Sequence, residues 1–75
     1  MVTDEAWQAK ARAILKRELA GEGIKRKELV ERLAKIDVKE TEQNIANKLS
    51  RGSFSAVFML QVLEAIGKKI IVTDI

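Results

Sequence analysis

Thr41-Glu42-Gln43-Asn44-Ile45-Ala46-Asn47-Lys48-Leu49-Ser50-Arg51-Gly52 is the stretch that decides the fold. Ile45 and Leu49 stand one helical turn apart, and Val38 extends the same apolar side backwards. The opposite side then carries Glu40, Gln43, Asn44, Asn47, Ser50 and Arg51, with Lys48 on one flank. This spacing predicts an amphipathic helix that reaches Leu49 or Ser50 and ends at Gly52. Its start has two readings. Asp37-Val38-Lys39-Glu40 forms a capping box with Asp37 as N-cap, whereas Thr41 is a cap one turn later.

Working outward, Arg26 to Ile36 is expected to be helical, with an inner stripe of Leu29, Val30 and Leu33 and with Ile36 at its end. Glu28/Arg32 and Glu31/Lys35 are well-ordered i,i+4 pairs on that helix. Before it, Thr3 is the expected N-cap of a first helix over about residues 4–20, with Asp4 and Glu5 at its positive end. Trp7, Ala11, Ile14, Leu15 and Leu19 recur there at helical spacing while Lys10, Arg12, Lys16 and Arg17 are expected to face away, and Trp7 is expected in the core beside Ile14. Gly21 is expected to stop this helix and Gly23 to make the turn.

After Gly52, Ser55 caps a fourth helix over residues 56–66 that Gly67 closes. Val57, Phe58, Met59, Leu60, Val62, Leu63 and Ile66 cover most of its circumference, so it must be covered on more than one side. The β-branched tail, residues 69–74, predicts a strand. Its partner is either the same strand of a second copy about a two-fold axis, or none, the tail then lying extended on the first helix.

With 75 residues, 47% hydrophobic and 33% charged, the chain makes a single globular domain over residues 1–75. Cysteine, histidine and tyrosine are absent, which removes disulfides, thiolate metal sites and the commonest general base. Ser50, Ser53 and Ser55 therefore have no histidine to activate them, and no glycine-rich phosphate loop follows a strand. The expectation is a protein that is not an enzyme, with no cofactor, no metal and no catalytic residue. The start, Met1-Val2-Thr3-Asp4-Glu5, is acidic where a secretory signal is basic, and the apolar run Ala56 to Leu60 is too short to span a bilayer. A cytoplasmic protein with no membrane association is expected.

The net charge is only +3, so its distribution carries more than its total. Asn and Gln can bond adenine N6 and N7 together, and Arg can fork onto guanine O6 and N7. Gln43, Asn44, Asn47 and Arg51 are thus the candidate base contacts. From Gln43 through Leu63 there is no carboxylate, and the only charges are Lys48 and Arg51. Lys48, with the cluster Lys25, Arg26 and Lys27 at the start of the second helix, supplies the candidate phosphate contacts. The plain alternative is that polar residues opposite an apolar stripe occur on any surface helix. Glu40 opposes the binding reading, since a carboxylate repels phosphate unless it accepts from cytosine N4 or caps its own helix.

Glu28-Leu29-Val30 with Leu33, then Ile45 to Gly52, then Phe58 to Gly67, together resemble the helix-turn-helix family of phage-repressor-like (Xre-type) regulators. The resemblance spans roughly residues 24–67. The turn Ala34-Lys35-Ile36-Asp37-Val38 lacks the family's usual glycine, about one extra helical turn precedes Gly52, and Ser50 replaces a usual Glu. The chain also resembles a group of short uncharacterised bacterial proteins that share a Trp near the start and an Asn-Lys-Leu-Ser-Arg-Gly-x-Phe-Ser core, here Trp7 and Asn47 to Ser55. These resemblances imply an all-α, four-helix repressor-like helix-turn-helix bundle, to which the tail adds a short C-terminal β-strand. The implied function is sequence-specific double-stranded DNA binding by a small transcription regulator, a homodimer. The alternative is a protein-protein interaction module, antitoxin-like or an assembly partner, that uses the fourth helix and the tail.

Overall fold

A computed structural model describes residues 3–75; Met1 and Val2, which open the acidic N-terminus, lie outside the described residues. The described residues form four helices: α1 (Asp4–Gly21), α2 (Arg26–Ala34), α3 (Glu42–Arg51) and α4 (Ala56–Ala65). Three of them start on a hydroxyl cap. Thr3 Oγ1 accepts from Ala6 N–H at 3.1 Å, Thr41 Oγ1 from Asn44 N–H at 3.0 Å, and Ser55 Oγ from Phe58 N–H at 3.0 Å. Each satisfies one of the donors that a first helical turn leaves open.

Three exits repeat one hydrogen-bond pattern. After α1, Gly23 N–H donates to Ala20 O and Ile24 N–H to Leu19 O; after α2, Asp37 N–H donates to Ala34 O and Val38 N–H to Leu33 O. After α4, Gly67 and Lys68 bond Glu64 O and Leu63 O in the same way. This is the Schellman arrangement, whose pivot residue takes a left-handed backbone. Gly23 is that pivot for α1 (φ 67°), so Gly21 ends the helix without turning the chain. For α2 the pivot is Asp37 at φ 62°, a residue type whose short polar side chain tolerates that region.

The Asp37 turn decides between the two readings of where α3 starts. Because Asp37 closes α2, it cannot cap α3, and Thr41 does so instead. Helices expected to reach Ile36 and to begin at Val38 are thus separated by a seven-residue link, 35–41, which absorbs the extra turn of sequence.

α1 packs against α3 and α4, and α2 packs against the same two helices. Between them lie Leu15, Leu19, Ile24, Leu29, Leu33, Ile45, Leu49, Phe58, Val62, Leu63 and Ile66, all buried. Each such large side chain contributes roughly 1.5–3 kcal/mol before chain entropy is charged against it. Trp7 and Ile14 do not join them, at 55% and 38% exposure. The inner face of α1 runs instead through Gln8, Ala11, Arg12, Leu15 and Leu19, so its first half is polar and meets backbone rather than core. Of the two i,i+4 pairs on α2, Arg32 Nε–Glu28 Oε2 closes at 2.7 Å, and Glu31–Lys35 does not form among the described residues.

The tail is not a strand. Residues 69–75 carry neither helix nor ladder, and Ile71 and Val72 are 74% and 89% exposed. A strand requires a second strand to bond, and the described part of this chain contains none. None of the described helices is long and apolar enough to cross a membrane.

Candidate nucleic-acid interface

Helix α3 buries Ile45 and Leu49 and turns Gln43, Asn44, Asn47, Ser50 and Arg51 to solvent. Asn47 lies opposite the buried pair. Gln43 Nε2 donates to Asn47 Oδ1 at 3.1 Å, which orders two of the four proposed base-reading side chains against each other. The Asn47 oxygen has a second lone pair, and its NH2 group is still free to donate. An amide held in this way can meet adenine N6 and N7 without first being ordered.

The end of α3 is anchored to α1. Gly52 turns at φ 71°, is buried, and sits so close to α1 that a Cβ there would collide with the Gln8 carbonyl oxygen. One turn further along α1, Arg12 Nη1 donates to Ser50 O at 2.8 Å. A guanidinium at the negative end of a helix is favourably placed.

The proposed phosphate contacts divide. Lys48 is committed: its Nζ lies 2.6 Å from Glu40 Oε2 and 4.6 Å from the centre of the Phe58 ring. Glu40 thus lies in the link before α3, folded back with its side chain only 10% exposed, and its charge is paired rather than aimed outward. To meet a phosphate, Lys48 has to leave both partners. Lys25, Arg26 and Lys27 are all exposed but part company. Lys25 and Lys27 line a depression with Glu28, Glu31 and Glu64, a surface of mixed sign. Arg26 turns the other way, into a cleft with Arg12 and Lys16 of α1 and with Ala46, Leu49 and Ser50 of α3.

Arg12, expected on the outer side of the first helix with Lys16, is half-buried on its inner side and bonds Ser50 O. The available signal was that Arg12 shares the inner face of α1 with Leu15 and Leu19, an odd place for a cation without a partner across the fold. Trp7, expected inside, lies in a shallow depression with Asp4, Gln8, Gly52, Ser53 and Phe54. Lys10 Nζ stands 4.9 Å from the centre of its ring. The two separated parts of the Trp7 and Asn47–Ser55 pattern therefore meet in space. No cluster of three or more potential metal-ligating side chains occurs among the described residues.

One family model, described as a domain of unknown function (DUF6471), matches residues 7–71. The chain belongs to the DUF6471 family. The matched span runs from the exposed Trp7 through all of α2, α3 and α4, so the DUF6471 unit includes the α1–α3 seam and the whole solvent face of α3. No curated protein and no solved structure matches the chain.

Proposed function

We propose that this protein is a sequence-specific double-stranded DNA binder of the repressor-like helix-turn-helix type, a small cytoplasmic transcription regulator acting as a homodimer. The observation that carries the reading is the solvent face of α3, where Gln43, Asn44, Asn47 and Arg51 stand exposed with no carboxylate from Gln43 to Leu63. In this reading α2 and α3 pack as the helix pair, and α3 enters the major groove. Asn47 bonds an adenine edge, Gln43 and Asn44 flank it, and Arg51 reaches a guanine. Arg26 holds a phosphate; Lys25 and Lys27 act at longer range, and Lys48 contributes only after exchanging Glu40 for a phosphate.

Selection of random duplex DNA on the purified protein at near-physiological salt tests the reading, and a dimer is expected to enrich a pseudo-palindrome. On the selected duplex, Asn47→Ala is expected to lose ~1–3 kcal/mol of specific binding and to leave non-specific binding unchanged. No enrichment, or equal affinity of wild type and variant for selected and scrambled duplexes, sinks it.

A second reading rests on a different surface. Val57 and Leu60 on α4 are more than half exposed, and the tail adds Ile71 and Val72. A protein-protein interaction module uses such a surface. The homodimer uses it equally well, and Val57→Ser with Leu60→Ser separates the two: a monomer that still selects DNA half-sites belongs to the first reading.

A further inference from the structure

We propose that the cleft between α1, the start of α2 and the last turns of α3 is a phosphate-binding site formed by Arg12, Lys16 and Arg26. All three cations line it, its floor is Ala46, Leu49 and Ser50, and no carboxylate borders it. Arg12 and Lys16 sit one turn apart on the same helix, where like charges repel. Arg17, Arg32, Lys48 and Lys68 are each paired with a carboxylate, and Lys25 and Lys27 share their depression with Glu28, Glu31 and Glu64. Arg12, Lys16 and Arg26 form no ion pair among the described residues, and unlike the depression of Lys25 and Lys27 their cleft is lined by no carboxylate.

Arg12 gives the site its geometry. Its bond to Ser50 O fixes the guanidinium plane, and the remaining N–H groups of that fork stay available. Lys16 and Arg26 are exposed and close on an anion from two sides. Phosphate suits the site because its oxygens accept from several donors at once and its charge relieves the repulsion among three cations. Ser50 and Ala46 border the solvent stripe of α3, so a phosphate seated here lies beside the base-reading side chains. When the phosphate belongs to a duplex, the proposal rests on the DNA-binding reading; when it is free in solution, it does not.

The test compares wild type, the double variant Lys16→Gln with Arg26→Gln, and Asn47→Ala. Fluorescence anisotropy against a random-sequence duplex of about 20 base pairs, over a salt series, reads the backbone source. Side-chain Arg Nε–H NMR signals, followed while inorganic phosphate is added, read the free source. Both mutated residues are exposed, and circular dichroism confirms that the fold is retained. For a duplex phosphate, the double variant is expected to lose about tenfold in affinity for every sequence. Its salt slope falls by about 0.9, the share of one phosphate, and the slope of Asn47→Ala stays at the wild-type value. For free phosphate, the Arg12 and Arg26 signals of the wild type move on titration and Arg12 in the double variant does not. If the wild type binds no duplex yet shows those shifts, the DNA reading fails and the cleft stands. Sequence-selective duplex binding that the double variant fully retains, without phosphate shifts in the wild type, overturns the cleft and leaves the DNA reading intact.

Discussion

At Gly52 and at Gly23 the backbone takes nearly the same left-handed conformation, yet the two positions have different neighbours. Beyond Gly23 there is open space, whereas Gly52 lies against the Gln8 carbonyl. Gly23→Ala therefore bears only backbone strain and is expected to cost about 1 kcal/mol. Gly52→Ala adds a collision with main chain that cannot swing aside, and is expected to cost about 3 kcal/mol or more. Urea denaturation of both variants measures the difference, and equal midpoints count against the seam described above. Sequence marked Gly52 as a helix stop but not as a contact, because the contact depends on where α1 comes to lie. Lys68 poses a related problem of distance. Its Nζ sits 3.0 Å from Glu22 and 3.8 Å from Glu18, at the end of α1, whose last turn has no basic residue. The hydrogen bond to Glu22 raises the Lys68 pKa above its ordinary value, and the Glu22 and Glu18 charges add to the rise. The pair's stabilisation is accordingly complete below the ordinary lysine range and lost as pH climbs through the raised value. An NMR titration of Lys68 is expected to move down in Glu22→Gln; no movement means that Glu22 does not hold this ammonium.

At the scale of elements, the boundary between α2 and α3 separates what a sequence pattern tells from what it hides. The apolar stripe of α3, its glycine end and the Ser55 start of α4 follow from local chemistry, and the structure has them where the spacing puts them. The link 35–41 does not, since Asp37-Val38-Lys39-Glu40 satisfies a capping pattern equally well. What decides it is Asp37 adopting a backbone usually left to glycine, which lets Val38 bond back to Leu33 and pack on the core. Thr41→Ala is expected to destabilise the fold by ~1 kcal/mol, and Asp37→Asn, which keeps left-handed tolerance, by less than that. Thermal denaturation reads both; a Thr41→Ala variant as stable as wild type restores the earlier helix start. The candidate interface divides along the same line. Its α3 residues were legible because one helix carries them all, while Arg12 and Lys16 join Arg26 only through tertiary packing.

For the whole molecule, the radius of gyration is 12.5 Å, against about 11 Å for a close-packed chain of this length. The apolar tail accounts for the excess in kind, since Ile71 and Val72 stand clear of the core. Replacing both by Ser is expected to change monomer stability by no more than about 0.5 kcal/mol. Sedimentation of wild type and the same variant tests the proposed homodimer: a wild-type dimer lost in the variant assigns the contact to the tail, an unchanged dimer moves it to Val57 and Leu60, and a monomeric wild type rejects it. The α1–α3 seam has a further consequence. Arg12 donates to Ser50 O and the Gln8 carbonyl lies against Gly52, so the exit of α3 rests on α1 while its buried side also packs on α2. Trimming residues stepwise from the front of the chain is thus expected to loosen the last turn of α3 once Arg12 is lost, before the shortening reaches Leu15 and the greasy interior.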